Sequence, residues 1–294
     1  MLRHLLPAVA LLGLPALAAA AEDAAACLEC HGDSSMTADL PAGGSLPLFV
    51  DGAEFQKSVH GEQGLSCTDC HEGMTPDHAT GELPVRTRHD LARKNSAACA
   101  NCHDGIAEAF AKSVHGRAPV NPDLPVCSEC HDIHRTVDTA ESRFALQTPL
   151  LCGTCHTDEK RMAKYGISTN VVDTYLADFH GMATTFQRGD ERKDRGRLAA
   201  ACTDCHGVHD IQKTDEPGSR VMAANLQRTC QKCHEGAPPM FPQAWLSHWE
   251  PSPRKAPAVW AVLQFYRIMI PFMMGGLLLQ IGLHVWRFSR KKKP

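Results

Sequence analysis

Seven times along the chain, two cysteines stand three positions apart with a histidine directly behind the second: Cys27-Cys30-His31, Cys67-Cys70-His71, Cys99-Cys102-His103, Cys127-Cys130-His131, Cys152-Cys155-His156, Cys202-Cys205-His206 and Cys230-Cys233-His234. Together these copies use all 14 cysteines. A single Cys-x-x-Cys would also suit a zinc site or a thiol redox centre. With histidine following in every copy and no cysteine left over, the pattern specifies covalent haem: two thioethers to the porphyrin and one imidazole to its iron. The expected cofactors are seven c-type haems with their iron. Because every thiol is consumed, no disulfide is expected, even in an oxidising compartment.

Each of these irons has a sixth position, so up to seven further ligands are needed. Of the 17 histidines, seven stand in the motifs, His4 lies near the N-terminus and His284 in an apolar run. That leaves His60, His78, His89, His115, His134, His180, His209 and His248, so supply nearly matches demand. On this count His60, His78, His89, His115, His134, His180 and His209 join the motif histidines as iron ligands, and His248 is spare. In its Trp-Leu-Ser-His-Trp setting, His248 is also an alternative ligand for the seventh haem, which would free His78. His134 and His209 follow His131 and His206 by three residues, too closely to wrap around the same porphyrin, so each should reach a neighbouring haem. Met74 stands at the matching place in the first unit. Ligation there, or at Met182, would raise that haem's potential, and ordinary packing is the simpler reading.

The elements that must carry these ligands form a repeat. The stretch Phe110 to His134 (FAKSVHGRAPVNPDLPVCSECHDIH) has looser copies at Phe55 to Met74 and at Phe179 to His209. Each unit holds two motifs: Phe55 to about Phe110 the second and third, Phe110 to about Tyr165 the fourth and fifth, Phe179 to about His248 the sixth and seventh. The first motif stands outside the repeat. The charged segment Arg188 to Arg197 reads as an exposed loop. With 6% aromatic residues, 19 Pro and 22 Gly, the chain cannot build an ordinary side-chain core, so the porphyrins must supply most of the buried apolar surface. The expected fold is mainly short α-helices and irregular loops nucleated by seven covalently bound haems, with little sheet and one C-terminal transmembrane helix.

Both ends carry addressing signals. Arg3, the apolar stretch Leu5 to Leu17 and Ala18-Ala19-Ala20 read as a signal peptide over residues 1–20. Residues 21–237 then form the exported haem domain, and a Pro-rich, interfacial linker follows over 238–267. Residues 268–286, IMIPFMMGGLLLQIGLHVW, are long and apolar enough to span a membrane, and the basic tail 287–294 places the C-terminus in the cytoplasm. The protein is thus expected in the inner membrane, single-pass, with its haem domain in the periplasm. Between Ala21 and Ala256 stand 23 Lys and Arg against 33 Asp and Glu, a net of −10. Such a surface repels nucleic acid and attracts basic redox partners. Within the span, His284 and Gln280 form a polar stripe, open to a partner role or a simple interfacial position.

These motifs make the chain similar to the multihaem c-type cytochromes of respiratory bacteria, and the absence of any Cys-x-x-Cys-Lys variant counts against a resemblance to the multihaem nitrite reductases. An exported seven-motif domain with one C-terminal anchor more narrowly resembles the heptahaem subunit of the b–c type quinol oxidoreductases of metal-reducing bacteria. That resemblance implies an integral b-type cytochrome, or another quinol-oxidising membrane subunit, as electron donor and small basic periplasmic cytochromes as acceptors. It implies an electron-transfer subunit that is not catalytic alone, with any quinol-proximal haem being the seventh. The alternative is a multihaem terminal reductase with one five-coordinate catalytic haem.

Overall fold

The computed structural model describes residues 24–78, 85–118, 121–140, 142–189, 199–244, 248–254 and 256–291. The signal-peptide residues, most of the charged segment 188–197, Trp245 and the last three residues of the basic tail lie outside these. The chain folds as a string of helices, most of one to three turns, with one two-stranded sheet among the described residues.

Residues 24–31 form α1 and carry the first motif. Strands β1 (Thr37–Asp39) and β2 (Ser45–Pro47) pair antiparallel with Thr37 opposite Pro47. Their connection passes through Gly43 and Gly44 at φ 95 and 90, a region closed to most side chains. Helices α2 (Gly52–Gln56), α3 (Val59–Glu62) and α4 (Cys67–Cys70) follow, then α5 (Arg88–Cys99), α6 (Asp104–Lys112) and α7 (Cys127–Cys130). The third unit and its approach contain α8 (Ser142–His156), α9 (Glu159–Ala163), α10 (Val171–Leu176), α11 (Phe179–Gly189), α12 (Cys202–His206) and α13 (Ala223–Gln231).

Motif-bearing helices come in two forms. In α4, α7 and α12 the motif is a helical turn by itself, which sets its cysteines on one side. The acid between them caps the turn: Asp69, Glu129 and Asp204 accept the N–H of the residue before the first cysteine at 2.6, 2.8 and 2.7 Å. In the third, fifth and seventh copies the motif instead stands at the end of a longer helix, α5, α8 or α13. Thr87 starts α5 with a reciprocal cap, its hydroxyl accepting from Asp90 N–H at 3.0 Å while the Asp90 carboxylate accepts from Thr87 N–H at 3.1 Å.

Among the described residues the buried apolar ones are Val126, Leu146, Met162, Tyr175 and four alanines. So small a set does not hold a domain of this length by itself, as the composition implied. The last helix, α14 (Pro257–Lys291), is 35 residues long and none of its apolar stretch is buried within the protein. It is long and apolar enough to cross a membrane. It starts at Pro257, inside the segment read as linker, because residues 258–266 are also uncharged and Pro is favoured in a first helical turn; Arg267 is the one Lys or Arg between Pro257 and Trp286.

Candidate haem-binding sites

The ligand-bearing turn of each unit is built the same way three times. In Ser58-Val59-His60-Gly61, the Ser58 hydroxyl accepts from Gly61 N–H at 3.1 Å. In Ser113-Val114-His115-Gly116, the Ser113 hydroxyl accepts from Gly116 N–H at 3.2 Å. In Asp178-Phe179-His180-Gly181, the Asp178 carboxylate accepts from Gly181 N–H at 3.0 Å. Each glycine lies so close to the chain five or six residues earlier that a Cβ would sit 2.1 Å from the Phe55 carbonyl oxygen, 2.0 Å from that of Phe110 or 2.0 Å from that of Tyr175. Tyr175, not Phe179, is therefore the structural counterpart of Phe55 and Phe110, and the third unit begins four residues earlier than its sequence suggested. The turns also tie the units together: Val59 N–H donates to Thr136 O at 2.9 Å and Val114 N–H to Ile211 O at 2.8 Å.

Every motif histidine faces one other histidine. The ring centroids are 6.1 Å apart for His31 and His78, 6.4 Å for His71 and His134, and 6.2 Å for His60 and His103. They are 6.1 Å apart for His131 and His209, 6.4 Å for His115 and His156, 6.2 Å for His206 and His248, and 6.2 Å for His180 and His234. Two imidazoles binding one metal from opposite sides at about 2 Å each bring their centroids to roughly 6.3 Å. The observed separations fit that arrangement. No group of three or more His, Cys, Asp or Glu is arranged to hold a metal among the described residues, so the residues are suited to a two-histidine axial site and not to a tetrahedral one. His31 shows how a proximal ring is oriented, its Nδ1 lying 2.8 Å from the Leu48 carbonyl oxygen, which leaves Nε2 for the metal. Phe144 stacks on His131, with centroids 5.6 Å apart and rings 3° from parallel.

Burial favours the neutral imidazole, the form that binds a metal, at eight of these histidines. It pushes His115 and His206 down to about 4, helped by the neighbouring His156 and His248 respectively. His71, His131, His134, His156, His209 and His248 are also lowered, with burial the largest cause in each. His78 sits in the left-handed region at φ 54, a conformation histidine tolerates better than most residues.

The pairing departs from the sequence reading at His89 and His248, and it gives the expected neighbours of His134 and His209 an identity. His89 is not brought to any motif histidine. Its Nδ1 lies 3.2 Å from Glu129 Oε1, and this carboxylate, 40 positions away in sequence, fixes the ring against α7. His248 instead faces His206, so the geometry exchanges His89 for His248. His134 and His209 reach across units, to the first motif histidine of the preceding unit, while His60, His115 and His180 serve the second motif of their own.

Consecutive sites are neighbours in space. His31 lies within electrostatic reach of His71 and His134. Inside the units, Cys70 is near Cys102, Cys130 near Cys155, and Cys205 near Cys233. Between units, the Cys99 sulfur contacts that of Cys127, and the Cys152 sulfur that of Cys202. Cysteines of consecutive motifs therefore lie near one another both within units and between them, and the sites follow one another from first to seventh.

A family model described as cytochrome c3 matches residues 59–157, which hold the second to fifth motifs. The C-type polyheme cytochrome OmcB of Geobacter sulfurreducens is 25% identical over 222 residues, covering 71% of this chain and 25% of that protein. The chain is a multihaem c-type cytochrome. Its c-type haem iron supplies a one-electron couple, for which the motif cysteines and facing histidines are the fitting anchors and ligands. This cytochrome is also 27% identical over 224 residues to the multiheme cytochrome MtrA of Shewanella baltica, covering 74% of this chain and 54% of the relative. It is 26% identical over 100 residues to the cytochrome c-type protein NrfB of Escherichia coli O6:H1, covering 33% and 51% respectively. The chain thus spans between a quarter and about half the length of these relatives. No solved structure matches it.

Proposed function

We propose that this chain is a heptahaem electron conduit held in the inner membrane by α14, with its haem domain in the periplasm. It takes electrons from a quinol-oxidising membrane subunit, such as an integral b-type cytochrome, and passes them to small basic periplasmic cytochromes. The observation that carries this reading is that each of the seven motif histidines faces a second histidine at 6.1–6.4 Å. Such pairs would hold an iron between two imidazoles and leave it no position for substrate, which supports conduction over a terminal reductase. The contacts between consecutive sites support a path in sequence order.

Orientation follows from the two ends of that path. The seventh site, on Cys230, Cys233 and His234, is the last before α14 and is the reading's entry point for membrane electrons. At the other end, residues 24–78 contain nine Asp or Glu and only Lys57 as a cation, while residues 199–256 contain six acids and six Lys or Arg. The acidic end, with the first and second sites, suits a basic acceptor whose docking is fast and weakened by salt. The test is low-temperature EPR and carbon monoxide binding on the purified, anchored holoprotein together with its haem count. Seven haems, all low-spin and unreactive, are expected; a high-spin iron that binds carbon monoxide would overturn the conduit in favour of the reductase.

A further inference from the structure

The site geometry leaves one half-buried histidine, His89, without a ligand partner. His89 opens α5, which packs against α7: Ser96 and Ser128 hydroxyls are 3.2 Å apart, and the Ser128 hydroxyl donates to the Ala92 carbonyl. The His89 side chain is 13% exposed, and Glu129 holds its Nδ1. Its other ring nitrogen, Nε2, is buried and reaches no hydrogen-bonding atom of the protein. Leaving a buried polar nitrogen unpaired costs about 1–3 kcal/mol, and buried polar side-chain atoms generally have a partner.

The chemistry on either side of the ring narrows what that partner is. Glu129 Oε2 already accepts the Val126 N–H, and an ionised carboxylate only accepts, so Nδ1 must carry the proton that joins it to Glu129. No motif histidine stands opposite His89, and each of the seven motif histidines already faces another ring, so the ring is not placed as an axial ligand of these sites. The group that closes Nε2 then comes from what fills the domain. A c-type haem whose iron has two histidines and whose vinyl carbons are thioethers retains one kind of hydrogen-bonding group, its two carboxylates.

We propose that His89 binds a haem carboxylate through Nε2–H while Nδ1–H is held by Glu129, an imidazolium bridging two carboxylates at the seam between α5 and α7. It is a positioning residue that fixes one porphyrin's carboxylate and places a positive charge beside that haem. A nearby cation favours the reduced, less positive iron and so raises its potential. The proposal rests on the seven-haem reading, and its test separates the two.

In the intact holoprotein, His89→Phe and His89→Gln are compared with the parent by haem count from mass, by low-temperature EPR, and by redox titration in which the haem methyl resonances report each iron separately. Seven low-spin haems are expected in both variants, with one haem's potential lowered in His89→Phe. His89→Gln, which keeps a donor without the charge, should fall between. Seven haems at unchanged potentials in His89→Phe would overturn the proposal, as would a new high-spin iron, which would make His89 an axial ligand. A parent protein carrying fewer than seven haems would instead overturn the reading beneath it.

Discussion

Alanine in place of Gly116 loads the structure at one of its tightest points. The added Cβ would lie 2.0 Å from the Phe110 carbonyl oxygen, 2.6 Å from its carbon and 2.9 Å from the Ala111 Cα, all backbone atoms of α6. Side-chain rotation cannot relieve contacts of this kind. Since a Cβ essentially never approaches closer than 3.0 Å, the turn must retreat from α6 by about 1 Å. Metal–ligand distances tolerate about 0.2 Å, roughly a fifth of that. His115 is the residue beside the substitution, and relief comes when it leaves the position opposite His156. The expected result is conversion of one site in seven from low-spin to high-spin, with one equivalent of carbon monoxide bound on reduction. A stability loss of about 1–3 kcal/mol should accompany it, as for other overpacked positions. The control is Gly105→Ala, on the same helix, where nothing lies within 4 Å of the new atom; helix propensity there favours alanine by about 0.5–1 kcal/mol. A Gly116→Ala protein with every iron still low-spin and an unchanged melting temperature would refute the reasoning.

Other outcomes follow from the same geometry. His248→Ala should create one high-spin iron at the His206 site in EPR, whereas His89 variants should create none. Tyr175→Phe removes the hydroxyl that bonds Thr184 Oγ1 at 2.7 Å and donates to Ala200 O at 2.8 Å; a loss of about 1–3 kcal/mol is expected in thermal unfolding, because buried partners are left unpaired. Acid should destabilise the fold through His115 and His206: burial holds both rings below the ordinary histidine range, and a ring that binds iron must be neutral, whereas unfolded histidine takes up its proton near 6.5, so stability from this source is full above about 6.5 and falls as pH drops below it. A melting series across that window checks the sign. A chain ending before Pro257 should partition to the soluble fraction after cell disruption, while the full chain should require detergent.

Much of the chemistry was legible because it is local. The two cysteines and the histidine of each motif lie within five residues, so spacing and residue type alone point to c-type haem, and the near match between eight remaining histidines and seven motifs raised the two-histidine arrangement that the ring pairs fit. Partner identity was not legible, because it is tertiary. His131 and His209 stand 78 positions apart, and nothing near either names the other. His89 and His248 looked alike as isolated histidines; Glu129, far along the chain, decided the fate of one, and the approach to His206 decided the other. The three-residue spacing of His134 and His209 implied a histidine that cannot serve its own haem, and in the structure each faces a motif histidine of the preceding unit. The start of the third unit was masked by chemistry: Tyr175 presents the same carbonyl to Gly181 as Phe110 does to Gly116, and the intervening Ser has become Asp178, which caps equally well. The early start of α14 was hidden by Arg267, one charge that interrupts the apolar run without interrupting the helix.

The cross-unit histidines bear on how such a chain matures. A polypeptide threaded through a membrane N-terminus first emerges with His71 long before His134, and with His131 long before His209. The leading unit therefore stays half-finished until its successor has followed it out, and the successor waits in turn. The last unit has no successor, and His248 stands in for one, nine residues ahead of Pro257. Completion of the sixth site would thus coincide with arrival of the apolar helix α14, so a chain clipped short of that point would be released with its second-to-last site open to oxygen, carbon monoxide or any other small ligand.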